Sequence, residues 1–477
     1  MLKKVIVQLN KEQYNHFQNE LNNNRGEKFV RLLELFRDTQ LDENEICKEI
    51  KINQSAYYTL KSRLFDKLQE YLFRSASDDR AELLKNISSI PHLVYHTPRE
   101  TAISLLIHLE TELKKLDMPH ELIGVYNALK KLHINTEKYY QYQQHYNKTV
   151  AYSLAVDKAD ELVSSFNREL GEYTISCDEK KLALLQLYLK EFRNLNKLYD
   201  SHRLKVSLCI ASISYALFAV NGAEIPEMEE TTEELLKQMH TILESHPEDR
   251  QYKFLKSIWH FLNFEYYKSL RLYKNCSASF EKVNADLETF LLLAHSCDTS
   301  RFLISKIDYA IRTNTADKLH EEFKSLIFEP DPLNATEFTF YSIYAASCCF
   351  HSGLYSEGAV FLNRCVNEIS FKNYSFAEIQ VKLFLSSLLL LAGKTEQAEI
   401  IIRSISRKLA GEEFTTQFQN AVSFSKFLKT ALNDNSNGKQ KKLEQAYSAF
   451  TKTNEEAEHS ILKFVPLSTQ HFELLSR

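Results

Sequence analysis

Nine glycines and eight prolines are nearly all that the chain has to turn with over 477 residues. Strand-rich folds need turn residues every ~8–12 positions. This chain cannot supply them, so its connections are few and its elements long. Leu, Lys, Glu and Ala are abundant, and apolar residues recur at helical spacing. An all-α fold follows. The length is too great for one small core, but a fold that grows in one dimension by repetition escapes that limit.

Two stretches show such a repetition. In Ala345–Cys365 a helix runs to Gly353. Leu354 and Tyr355 then lead into a second helix with Gly358, Leu362 and Cys365 on one face. In Leu385–Ile405 the same order recurs, with Gly393 at the turn and Ala398, Ile402 and Ile405 following. Small residues fall in matching places, Ala346 with Gly358 and Ser386 with Ala398, where two helices are expected to cross closely. This resembles the tetratricopeptide repeat (TPR), with its small residue, glycine turn, second small residue and apolar followers. The resemblance implies a TPR-like α-solenoid of antiparallel helix pairs, with Gly353, Gly358, Gly393 and Ala398 as structural positions. It is expected over 99–464. The copies lie 40 residues apart against a usual ~34, so Phe371–Phe376 is expected to be an extended loop. A looser copy reads as helices Gln251–Leu262 and Glu265–Cys276, with Ser257 and Ser269 as the small pair and no glycine at the turn.

The N-terminal 75 residues read differently. Val5–Leu9 suggests a short extended opening, and Asn10 caps a helix to about Leu21. A second helix covers Glu27–Thr39. Asp42 with Glu45 makes a capping-box start for a short helix, Glu43–Glu49. Ile50-Lys51-Ile52 is a turn, and Asn53 caps a helix from Gln54 to about Leu72 that buries Tyr57, Leu60, Leu64 and Leu68. This resembles the helix-turn-helix of bacterial regulators, above all the last helices of sigma-factor-like proteins. Lys61-Ser62-Arg63-Leu64 stands where a Lys-Ser-Arg-Leu type of run is found there, and Lys51 replaces the usual turn glycine. The resemblance implies a small trihelical domain. As a DNA reader it would place Gln54, Ser55, Tyr58, Thr59 and Ser62 at base edges. Lys51, Lys61, Arg63 and Lys67 would lie on phosphates. Charge argues the other way. Asn10–Ser75 holds eleven basic and eleven acidic residues, so the domain is neutral, whereas DNA affinity rests mainly on phosphate neutralisation.

The expected organisation is therefore a helix-turn-helix-like domain at 1–75, a linker at 76–98, repeats at 99–464 and a C-terminal tail at 465–477. Asn135–Tyr173 reads as one long helix, or two with a small kink, bearing Tyr139, Tyr140, Tyr142, Tyr146 and Tyr152. Packing between helices is the simplest account of these rings. The sharper one is an aromatic lining for a partner peptide, with Tyr139, Tyr142 and Tyr146 as the contacts.

Catalytic signatures are missing: there is no HExxH, P-loop, GxGxxG or GxSxG. His120-Glu121 and His320-Glu321-Glu322 read as solvated faces, without a second ligand at helical spacing, so no metal and no cofactor is expected. Eight cysteines without a CxxC pair read as buried thiols of a reducing cytosol. No run is long and apolar enough to span a membrane. A net charge of −4 disfavours a nucleic-acid-coating protein. The expected function is a non-catalytic cytoplasmic helical-repeat scaffold or regulator that binds a protein or peptide on its concave face. The alternative is a DNA-binding transcription regulator with the repeats as sensor.

Overall fold

The computed structural model describes residues 2–9, 11–23, 26–38, 41–75, 80–220, 230–247, 249–410, 418–433, 439–457 and 460–476. Among these the secondary structure is entirely helical. The chain divides into two compact units, Met1–Asp157 and Lys158–Arg477.

The first unit holds α1 (Leu2–Gln8), α2 (Lys11–Asn23), α3 (Glu27–Asp38), α4 (Glu43–Ile50) and α5 (Gln54–Ser75), which share one core. The extended opening expected at Val5–Leu9 is instead α1. Leu2, Ile6 and Leu9 recur at helical spacing and are buried, and that burial outweighs the strand preference of Val and Ile. Asn10 lies outside the described residues. The capping box is formed: the Asp42 N–H donates to Glu45 Oε2 at 2.9 Å, and the Glu45 N–H to Asp42 Oδ1 at 2.7 Å. Asn53 Oδ1 accepts the Ala56 N–H at 2.8 Å and starts α5. Residues 76–98, read as a linker, contain α6 (Arg80–Ser88) and α7 (Ile90–His96). Ile90 is buried in a second core with α8 (Arg99–Lys115) and α9 (Pro119–Leu132). Pro119 is the first residue of α9, where its missing N–H leaves no bond unmade. The long helix α10 (Lys138–Ser176) follows.

In the second unit α11 (Glu179–Leu198) and α12 (His202–Phe218) are followed by residues 221–229, which lie outside the described residues. Next come α13 (Thr232–Ser245), α14 (Arg250–Ser269), α15 (Tyr273–Asn284), α16 (Leu287–Leu291), α17 (Arg301–Arg312) and α18 (Leu319–Ser325). Then come α19 (Ala335–His351), α20 (Tyr355–Glu368), α21 (Ser375–Leu391) and α22 (Thr395–Leu409). Helices Gln419–Asn433, Lys439–Glu456 and Thr469–Ser476 end the unit. Helices α12, α19 and α21 are buried almost all round. A helix with no polar stripe has to be enclosed by neighbours. Thus α20 packs on both α19 and α21, and α12 meets α11, α13 and α14. The outer helix α22 buries only the stripe Ala398, Ile402, Ile405 and Leu409.

One turn joins many of these helices. Gly353 and Gly393 have φ of 74° and 75°. The N–H of Leu354 reaches the carbonyl of Cys349 at 2.9 Å, and that of Gly353 the carbonyl of Phe350 at 3.1 Å. Lys394 to Leu389 and Gly393 to Leu390 repeat the pair. This is the Schellman closure, which satisfies carbonyls at a helix end and requires one left-handed residue. The same two bonds, with positive φ, recur at Lys51, Asp117, Arg271 and Asn314. They close α4, α8, α14 and α17. A Cβ at Gly353 would meet no atom within 4 Å, so backbone conformation alone selects glycine there. At Gly358 the reason is space: a Cβ would lie 3.2 Å from the Ala346 carbonyl oxygen, Cys349 Cβ and Leu388 Cδ1.

Several sequence expectations need correction. The helix break expected after Leu262 does not occur. α14 runs through Asn263 to Ser269, and the turn falls at Arg271. In the register of the glycine-marked turns, Phe264 and Cys276 take the places of Ala346 and Gly358. Ser257 and Ser269 are not the pair. Leu287–Thr313 has the apolar content of one helix, but it is broken between α16 and α17, where Thr299 Oγ1 donates to the Leu291 carbonyl and Ser300 Oγ to Asp298 Oδ1. The helix that begins at Lys439 ends at Glu456, and Ile461–Phe464 is a 3-10 turn. His320, read as a solvated position, is buried with neither ring nitrogen bonded. Phe371–Asn373 is a 3-10 turn in the loop before α21. All eight cysteines are free, and burial pushes Cys209 and Cys297 up to about 12. No described helix is long and apolar enough to cross a membrane.

These turns set a paired expectation. Gly353→Ala destabilises by about 1–2 kcal/mol, the cost of a left-handed L-residue, although nothing obstructs the methyl group. Arg271→Gly changes stability in the opposite direction, by up to about 1 kcal/mol. Urea unfolding of both variants checks the signs.

Candidate functional site

A cavity of about 360 Å³ lies within the second unit. The C-terminal end of α10 contributes Thr174 and Ile175, α12 Leu217 and Phe218, and α14 Glu265 and Lys268. Helix α17 adds Arg301, Ile304 and Ser305, α19 Phe340 and Ile343, and α21 Phe376 and Gln380. The segment Ser460–Phe464 closes one side.

The apolar wall is interrupted by charge. Glu265 is 5% exposed and pairs with Lys268 at 2.9 Å, three residues along α14. Lys268 Nζ also donates to Ser305 Oγ at 2.7 Å. Arg301 sits over the Phe218 ring at 4.4 Å. Burial lowers its pKa, against the attraction of Glu265 and Asp298. Burial in turn raises the Asp298 carboxyl. Arg271 and Arg312 are exposed and mark the mouth, as is Lys463. Arg312 pairs with Asp308 at 3.4 Å. Five basic side chains thus face two acidic ones around the cavity. Two buried wall residues have an unused polar atom: Glu265 Oε1 and Gln380 Nε2 have no hydrogen-bond partner. Sequence reading passed over these residues. Their signal was a charge inside an aromatic run, Phe264-Glu265-Tyr266.

The segment that closes the cavity is tied down by side chains far away in sequence. The Ile461 N–H donates to Gln380 Oε1 at 2.7 Å. Ser460 Oγ donates to Asn454 Oδ1 at 2.6 Å, and Asn420 Nδ2 donates to both residues. Ile461, Leu462, Phe464, Val465 and Leu467 are buried. Beyond them His471 stacks on Phe350 at 5.0 Å.

The residues singled out from sequence lie elsewhere, in the first unit. Gln54, Ser55, Thr59, Ser62 and Arg63 are exposed on α5, and Tyr58 is half-exposed. Lys61 is engaged by Glu43 at 2.8 Å, and the Tyr58 hydroxyl donates to the same carboxylate at 2.9 Å. These two bonds, that of Lys61 first, hold the Glu43 carboxyl below its ordinary value. Of the tyrosines, Tyr142 stacks on His133 at 5.3 Å and lies 6.4 Å from Tyr126, while Lys130 sits over Tyr146 at 4.5 Å. Both pack on the core of α8 and α9. Tyr139 is half-buried beside exposed Tyr140. No cluster of three potential metal ligands occurs among the described residues.

His351, at the end of α19, provides a pH test. Burial, with His471 nearby, lowers its pKa to about 4, against about 6.5 in an unfolded chain. The folded pKa is the lower one, so between those values the unfolded state binds more protons. Stability therefore falls as pH drops from about 6.5 to about 4. Denaturation midpoints across that range should show the fall, and His351→Leu should flatten it.

Compared with protein-family models, with curated proteins and with solved structures, the chain has no match.

Proposed function

We propose that the chain is a non-catalytic helical-repeat binding protein. Its helix pairs form a TPR-like stack, and a protein or peptide segment is taken up on the face made by α14, α17, α19 and α21. The observation that carries this reading is Ser460–Val465. This segment, the 3-10 turn Ile461–Phe464 with its flanks, lies against α17 and α21, anchored by a side-chain amide on a backbone N–H and by buried apolar residues. Repeat proteins bind peptide segments along their stacked helices, so the contacts made here within the chain are those a partner's segment would use. The test displaces the resident segment. Ile461→Asp buries a charge there and weakens docking. A labelled peptide of sequence Ser460–Leu467 should then bind the variant at micromolar concentration and leave wild type unbound. A folded variant that ignores the peptide in fluorescence polarisation overturns the reading.

A second reading, a DNA-binding regulator, draws on the exposed side chains of α5 that include Gln54, Ser55, Thr59 and Arg63. Phosphate contacts give a log–log salt slope of about −0.9 each. On this reading Arg63→Ala flattens the slope by about one unit. Lys61→Ala changes it less, because Glu43 already holds that ammonium. Duplex binding that is weak and indifferent to Arg63→Ala excludes it and leaves α4 and α5 as a structural, protein-contacting cap.

A further inference from the structure

The cavity between the repeat helices and the resident segment has the properties of a small-molecule site, a role beyond uptake of a peptide. Its volume of about 360 Å³ falls within the ~300–1,000 Å³ of known ligand pockets. Apolar and polar groups line it in about equal measure, with Phe218, Ile343, Phe376 and Phe464 on the apolar side. Its charge is unbalanced, five basic side chains against two acidic, and Arg271, Arg312 and Lys463 lie at the exposed end.

Arg301 is the telling residue. It is half-buried by surface area, and it lines the cavity over the Phe218 ring. Each of its carboxylate neighbours bonds through one oxygen, Glu265 to Lys268 and Asp298 to Ser300, and keeps the other oxygen unbonded. A desolvated guanidinium is strongly favoured by a bidentate anion. Gln380 adds a donor. Its carbonyl oxygen is taken by the Ile461 N–H, and its amide nitrogen has no partner.

We propose that this cavity binds a small amphipathic anion, a carboxylate or phosphate on an apolar or aromatic body. The anionic group lies at Arg301 within reach of the basic mouth, and the body lies against the phenylalanine wall. Because Ser460, Ile461 and Phe464 form part of the enclosure, the bound anion also holds the resident segment in place. Ligand occupancy and segment release then oppose each other.

The test uses the full chain and three probes of one shape: 3-phenylpropionate, phenyl phosphate and the neutral 3-phenylpropanamide. At least one acid should raise Tm by about 2 °C or more at ~10 mM and slow hydrogen exchange at the Ile461 amide, and the amide probe should do neither. Whichever acid acts identifies carboxylate or phosphate as the recognised group. Arg301→Met removes the half-buried charge and keeps most of the side-chain bulk, and should weaken binding about tenfold or more. Arg271→Gly retains the turn and removes a mouth cation, and should weaken it less. The proposal is overturned if no acid shifts Tm, if the neutral probe matches the acids, or if both variants bind like wild type. These outcomes do not depend on whether Ile461→Asp accepts the peptide, so the two ideas fail separately.

Discussion

The fold depends on a single left-handed residue placed after a helix. A helix leaves its last carbonyls unpaired, and the Schellman closure satisfies them while reversing the chain. After Gly353 and Gly393, and after Asp117 and Arg271, the second helix packs directly on the first. Asp and Asn tolerate this conformation through short polar side chains. Arg271 and Lys51 do not have that advantage, so tertiary packing must hold them in it. Repetition of the turn, more than repetition of residues, organises the chain.

The turns also decide where charge goes. Arg271 occupies one of them and stands at the mouth of the cavity. The next turn of α14 inward bears Lys268 and Glu265, and α17 contributes Arg301 opposite. Taking charged groups out of water is costly unless they are paired. Here each has a partial answer: Lys268 has Glu265 and Ser305, Arg301 has an aromatic face and two carboxylates nearby. Buried thiols such as Cys297 lie beside this cluster with raised pKa values, as expected of inert packing groups.

Helix existence was legible in the sequence wherever a chemical mark stood at the boundary. Asp42 with Glu45, Pro119, Gly353 and Gly393 are such marks, and the helices begin or end there. Boundaries failed where tertiary contacts chose the conformation. Nothing in Leu270-Arg271-Leu272 announces a left-handed arginine, and Val5–Leu9 has the composition of a strand. The α4–α5 turn was legible in outline, but the capture of Lys61 by Glu43 spans 18 residues and two helices. The cavity was not legible at all, because its wall gathers side chains from Thr174 to Phe464. Periodicity reports which face of a helix is apolar, not which faces will meet.

The bond from the Ile461 amide to Gln380 spans 81 residues. During synthesis α14, α17, α19 and α21 emerge well before Ser460–Phe464, and domains fold as they emerge. For that interval the phenylalanine wall and Arg301 stand open to solvent on one side. The nascent chain therefore passes through a stage in which that wall is bare. Closing it is a late, long-range event of the kind that slows folding. Any molecule that fills the gap early, whether a chaperone's apolar surface or the chain's own later residues, bears on the yield of folded protein.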